Sequence, residues 1–327
     1  MDRFLGYLTA PISPTSGQLW EVKLRAYSLL YVVAEIYIVF RERRKAGLIA
    51  LLSSPFRFAK YVICTLIVFA AFGRRAYIAL LLFAWFRRVD DVIDGDTRLV
   101  QHWTLAVYRA QKRDLLGALS KAHLGVMLLR EDLLVVRAFA LARDIAQTIA
   151  VEVTHIWEVI EWESDRRDES RLVTRAELVT ETAKLDTAIL RVCVKMLGGD
   201  IERFDAIAQE FTGVFTRADW LDNMSTDLRE KIVNIPADGV SQFGIDVERV
   251  YSCGSWSELM QYSPFAAWYQ DEIRRTAREW TDLRLVLGDD FGGVFTSRIV
   301  SRLFMRITVG KMEPQFERAA LRATRQE

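Results

Sequence analysis

The chain has little of what breaks or staples a polypeptide. Six prolines and seventeen glycines among 327 residues are too few for a disordered or linker-rich chain. The three cysteines, Cys64, Cys193 and Cys253, are far apart and odd in number. They make no CxxC metal pair and no disulfide framework, the usage expected of a reducing compartment. A net charge of +1 implies no polyanionic partner and no charged membrane surface. There is no basic stripe interleaved with aromatics to suggest nucleic acid. The N-terminal MDRFLGYLTAPISPTSG lacks the apolar core of a secretory signal. No run of alternating strands, Gly-rich phosphate loop, internal repeat or low-complexity segment is visible.

Long apolar runs are also missing. Segments 27–40, 61–73 and 76–86 are the greasiest, and Arg74-Arg75 separates the last two. Each falls short of the roughly 18–20 apolar residues that span a bilayer. They are expected to be buried core helices of a cytoplasmic protein, with peripheral membrane contact as the alternative.

What the chain does have is apolar bulk and helical periodicity. It is 51% hydrophobic and 27% charged, enough for a large core. Apolar residues recur at three- and four-residue spacing through 103–160 and 176–220, which predicts helices. Glycine and proline cluster at 11–17, 53–55, 197–199, 234–244 and 287–293, which predicts breaks. The expected architecture is one all-α domain over 51–327, preceded by a helical extension at 1–50 whose role is open. The charged segment 162–181 reads as a solvated helix–loop–helix, with Thr174 and Glu177 forming a capping box that opens the second helix.

Against this background the stretch FAWFRRVDDVIDGD at 83–96 is costly. Asp90, Asp91, Asp94 and Asp96 crowd the end of an apolar segment. On a helix, Asp90 and Asp94 are i, i+4 neighbours and Asp91 and Asp94 are i, i+3 neighbours, and like charges there repel. Acidic groups at a helix C-terminus also oppose the macrodipole. Segment 76–86 is apolar on all sides and should pack deeply, so the carboxylates need cations. Arg87 and Arg88 are candidates, as are divalent metals; oxygen-only ligands suit Mg²⁺ or Ca²⁺ rather than zinc. A second stripe, Asp219, Asn223 and Asp227, falls at i, i+4 and i+8 in RADWLDNMSTDLREKIVNIP. Arg229 and Lys231 follow it and are candidate diphosphate-binding cations. If the two stripes faced one cavity, they would hold several Mg²⁺ ions bridging to a phosphate-rich ligand.

In order and spacing, residues 60–310 resemble the squalene/phytoene synthase family of class I all-α terpenoid synthases. FRRVDDVIDGD resembles the family's first aspartate-rich motif, with Arg87 at its arginine. WESDRRDESRLVTRAEL resembles a mid-chain segment with a Thr-x-x-Glu-Leu helix start. DNMSTDLREKIVNIPADGVSQFGID resembles the second acidic motif and its trailing tail. The resemblance implies a helical bundle around a central apolar cavity. It implies an allylic prenyl diphosphate, C15 or C20, held through about three Mg²⁺ ions that share coordination with its phosphates. It implies metal ligation by Asp90, Asp91, Asp94, Asp219, Asn223 and Asp227, and catalytic importance for Asp90, Asp94 and Asp227. Arg87, Arg229 and Lys231 would bind diphosphate, and Phe83, Trp85 and Trp220 would line the cavity.

The chain also departs from the pattern. YVICT stands at 61–65, where the family has a Ser-Lys/Arg-x-Phe segment. ETAKLDTAIL at 181–190 replaces a glycine-containing run and puts Asp186, a further candidate catalytic residue, in it. The second motif usually reads Asn-x3-Asp-x3-Asp with an arginine before the middle Asp; here Asp222 precedes Asn223. Loss of the glycines should straighten a wall helix and reshape the site for a second substrate. The expectation is therefore ionisation of one prenyl diphosphate and its conversion to a terpene. Head-to-head coupling of two chains, with NADPH dependence if squalene-like, is the alternative.

Overall fold

The computed structural model describes residues 74–95, 99, 103–121, 126, 128–129, 131–145, 147–168, 172–228, 234–287, 293–298, 300–302 and 317–318. Segments 1–50, 27–40 and 61–73, together with Cys64, lie outside the described residues. Among the described residues every regular element is a helix. They are α1 (Arg74–Ile93), α2 (Leu105–Ser120), α3 (Asp132–Asp144), α4 (Ala150–Asp168), α5 (Arg175–Leu197), α6 (Ile201–Asp227), α7 (Ala237–Phe243), α8 (Val247–Ser252), α9 (Trp256–Gln261) and α10 (Ser263–Leu287). The all-α expectation is met. None of these helices is long and apolar enough to cross a membrane. The chain divides into two compact units, residues 1–154 and 155–327.

In the first unit α1 packs along α3. Ile78, Leu81, Leu82, Ala84, Trp85, Val89 and Val92 are buried on one side of α1, and Leu133, Leu134, Val135 and Val136 are buried on α3. The expectation that 76–86 is enclosed on all sides is corrected at one point: Phe83 is 61% exposed. The period of 103–160 is real but interrupted, giving α2, α3 and the start of α4 rather than one long helix. Thr104 caps α2 by accepting from the Val107 N–H at 3.3 Å.

This unit is tied by charge at its centre. Lys112 lies on the apolar stripe of α2 with Tyr108, Leu115 and Leu119 and is wholly buried. Its Nζ stands 2.5 Å from Asp132 Oδ1 and 3.2 Å from Glu131 Oε1, and 4.5 Å from the Tyr108 ring centroid. Asp132, also wholly buried, accepts from the Trp85 indole at 3.2 Å, Gln111 Nε2 at 2.8 Å and the Leu129 N–H at 2.9 Å. Burial, with Glu131 and Asp132 alongside, holds the Tyr108 phenol well above its ordinary pKa. It stays a neutral donor to Glu131.

In the second unit α5 lies along α6, and α6 along α10. Thr174 caps α5 by accepting from the Glu177 N–H at 3.2 Å, as the capping-box reading expects. Within 162–181, α4 ends at Asp168 and α5 begins at Arg175, yet Arg166 is buried rather than solvated. It donates to Asn234 Oδ1 at 2.7 Å and lies over Trp162. α5 runs unbroken for 23 residues and stops at Gly198, whose φ of 73° is left-handed. The Gly199 N–H then reaches back to the Val194 carbonyl, closing a Schellman-type end. One apolar core joins Phe204, Phe211 and Phe215 of α6 to Trp280 and Leu283 of α10. A second joins the end of α6 to α8, α9 and the start of α10.

Removing one member of a buried ion pair leaves the other charge stranded, at roughly 3–5 kcal/mol. Lys112→Met is therefore expected to lower unfolding stability by that order. Equilibrium urea denaturation measures it, and an unchanged midpoint would contradict the burial of the pair.

Candidate active site

The first acidic stripe occupies the face of α1 opposite its packing face. Phe83, Arg87, Asp90 and Asp91 recur at helical spacing, and Asp94 follows in the turn after α1. The two arginines have separate roles. Arg88 is buried, near enough to Tyr108 to pull that phenol's pKa back down. Arg87 is half exposed and reaches forward along its own helix, with Nη1 3.4 Å from Asp90 and Nη2 3.1 Å from Asp91. Exposed pairs of this kind contribute a few tenths of a kcal/mol, about what the carboxylate repulsion costs. The Asp94 N–H closes the last turn on the Asp90 carbonyl at 2.8 Å, and Gly95 leaves the helix at a φ of 80°. Asp94 is exposed. Asp96 lies outside the described residues. Trp85, grouped with Phe83 from the sequence, points the other way and is fully buried.

The second stripe runs along α6. Thr212, Thr216, Asp219 and Asn223 recur every three or four residues, and Asp227 is the last residue of the helix. Asn223 Nδ2 donates to Asp219 Oδ2 at 3.1 Å, and Asn223 is exposed. The Asp227 side chain, Arg229 and Lys231 lie outside the described residues.

Asp186, on α5, meets the same stripe: it accepts from the Thr216 hydroxyl. One turn away the hydroxyls of Thr187 and Thr212 are 3.0 Å apart. The two helices are thus joined by polar rungs that end one turn before Asp219. These threonines were not singled out from the sequence, although their four- and three-residue steps toward Asp219 are readable there. Trp220 packs in a small apolar cluster with Val173 and Leu178.

Asp222, the residue that reverses the charge expected before the middle ligand, is buried. Its carboxylate accepts from Arg318 Nε on both oxygens, at 2.9 and 3.0 Å, and from Arg318 Nη2. The partner is 96 residues away, and nothing local in the sequence could reveal it. The Tyr269 hydroxyl, from α10, donates to the Leu221 carbonyl at 2.8 Å, a second hold on this end of α6. Burial pushes the Cys193 thiol up to about 11, which favours its protonated form.

Among the described residues, no three His, Cys, Asp or Glu side chains converge on one metal-sized point. Mg²⁺ does not require such a cage. It takes one or two carboxylates, keeps waters and fills its shell from substrate phosphate. The hard, all-oxygen, solvent-reached donors at Asp90, Asp91 and Asp94, and at Asp219 and Asn223, fit that ion.

No protein-family model and no curated protein sequence matches the chain. Among solved structures, a dehydrosqualene synthase crystallised with a ligand matches at a TM-score of 0.51. Its sequence identity is 14%, and the match covers 83% of this chain and 96% of that one.

Charged hydrogen bonds of the Arg318 kind are worth about 1.5–3 kcal/mol when one partner is buried, less where the other is solvent-exposed. Arg318→Ala is expected to lower stability by about 1 kcal/mol or somewhat more, read as a shift in urea midpoint, and Arg318→Lys by less. Equal midpoints for all three proteins would contradict the contact. The likeness to the dehydrosqualene synthase is one of fold: the chain shares that enzyme's all-α fold.

Proposed function

We propose that this protein is a Mg²⁺-dependent enzyme that ionises an allylic prenyl diphosphate and converts the single chain to a terpene. The observation that carries the reading is the outer face of α1. There an exposed Phe83 stands one turn before Arg87 and the three carboxylates. An apolar chain and its diphosphate head need that order: an aromatic surface, then a cation, then metal ligands. The fold shared with a dehydrosqualene synthase supports the same chemistry.

When bound, Mg²⁺ supplies Lewis acidity at the leaving group's oxygens. Asp90, Asp91 and Asp94 of the first unit, and Asp219, Asn223 and Asp227 of the second, would supply oxygen ligands for it. Arg87, with Arg229 and Lys231, donates charge-assisted hydrogen bonds to the departing diphosphate. To do so Arg87 exchanges its contacts with Asp90 and Asp91 for phosphate, so its cost in the free protein is small. No side-chain nucleophile is required. The aromatic face of Phe83 can stabilise positive charge developing on the allylic carbon.

Two features support one substrate rather than two. α5 is unbroken where the resembled family carries glycines, and Asp186 there is bound to Thr216. The charge expected at 222 is inverted and tied to Arg318. Head-to-head coupling of two chains is the alternative, and the name of the structural neighbour favours it.

Purified protein with Mg²⁺ and a mixture of C10, C15 and C20 diphosphates, read by gas chromatography–mass spectrometry, separates these. The expected product keeps the carbon count of one substrate; a C30 or C40 product would reject the single-chain reading. Asp90→Ala and Asp227→Ala should each abolish turnover nearly completely. Asp186→Ala should change product or rate, and unchanged kinetics would leave Asp186 a structural partner of Thr216.

A further inference from the structure

The carboxylate of Asp132 gathers donors from three places: the Trp85 indole on α1, Gln111 and Lys112 on α2, and the Leu129 N–H before its own helix. Apolar packing alone would hold these helices together, and a buried ion pair is often replaceable by apolar residues without loss of stability. What packing does not supply is a unique rotation and register. A helix with Ile78, Leu81, Leu82, Trp85, Val89 and Val92 on one face can slide or roll by a fraction of a turn against leucines and valines. A hydrogen bond from the Trp85 indole constrains the roll and register of α1 at one point. Trp85 is two residues from Arg87 and five from Asp90, so a roll at Trp85 moves the whole outer stripe.

Arg88 adds to this. It is buried on the same inward side as Trp85, one turn on. The inner face of α1 therefore carries a specific polar lock, Trp85 with Arg88, directly behind the outer face of Arg87, Asp90 and Asp91. The groups around the lock are Tyr108, Gln111, Lys112, Glu131 and Asp132.

We propose that Asp132 is a positioning residue for the acidic stripe of α1: by holding the Trp85 indole it sets the orientation in which Asp90, Asp91 and Asp94 are presented to a divalent cation. The inference rests on the metal reading of that stripe. Asp132 itself touches neither metal nor substrate.

The probe is Mn²⁺ with inorganic diphosphate, bound to the full-length chain, with free Mn²⁺ read by electron paramagnetic resonance and thermal unfolding recorded alongside. Three variants divide the possibilities. Lys112→Met/Asp132→Leu replaces the ion pair by apolar groups and removes the indole's acceptor. Lys112→Met/Asp132→Asn removes the Lys112–Asp132 pair and keeps an acceptor; in both double variants Glu131 retains the Tyr108 hydroxyl. Trp85→Phe removes the indole N–H and leaves the ion pair. The first and third are expected to weaken Mn²⁺ binding by about threefold or more, up to the roughly tenfold seen when a ligand's own hydrogen-bond partner is lost. The second is expected to bind as the wild type does. Wild-type affinity in Trp85→Phe, or in the apolar pair, overturns the positioning role and leaves Asp132 a packing element. Equal losses in both double variants overturn it too, because the acceptor would then be irrelevant. A wild-type protein that binds no Mn²⁺ with diphosphate overturns the metal reading itself, and the positioning role with it.

Discussion

Lys112 has no access to water, and an ammonium without water is tolerated only among anions. It lies between Glu131 and Asp132, and Asp132 in turn holds α1 by the Trp85 indole. The orientation of these helices within their apolar packing follows from this knot. α2 is fixed by its lysine, α3 by the aspartate at its first residue and α1 by its tryptophan. With its inner face spoken for, α1 must turn its other face outward. That face carries Phe83, Arg87 and the carboxylates. The charges that look misplaced beside a greasy segment are on the side of the helix that packing leaves over.

Repulsion within the stripe is handled locally and cheaply. Arg87 touches both Asp90 and Asp91 from half-exposed positions, so the interaction is weak enough to be exchanged for a ligand. A buried arginine could not be exchanged that way. The neighbouring Arg88 is such an arginine, and it serves the core instead. Two adjacent residues of one type thus do opposite work because a helix turns them about 100° apart.

The second stripe is built on different terms. On α6 the half-buried Asp219 and the exposed Asn223 continue a row of threonines whose hydroxyls reach Asp186 and Thr187 of α5. Behind it, Arg318 and Tyr269 hold Asp222 and the Leu221 carbonyl. Much of this was legible beforehand. Helical periodicity gave the α content, the cap at Thr174 and the break at Gly198, because those are set within a few residues of sequence. The i, i+4 spacing placed each acidic stripe on one face. The exposure of Phe83 within the 76–86 segment was not legible, because composition shows that a segment is apolar but not which face lacks a neighbour. The Lys112 knot was readable in principle, as a lysine at an apolar position of α2 and an acidic pair before Leu133 and Leu134. The Asp222–Arg318 bond was not, since it joins residues that no local pattern connects.

The central claim is that these oxygen ligands serve to draw diphosphate from an allylic chain. Release of inorganic diphosphate from farnesyl diphosphate, followed as Mg²⁺ is raised from zero, tests it most directly. The account predicts release that is absent without the ion, saturates with it and disappears in Asp90→Ala. Absence of release at every Mg²⁺ concentration, with C10 and C20 substrates as well, would contradict it.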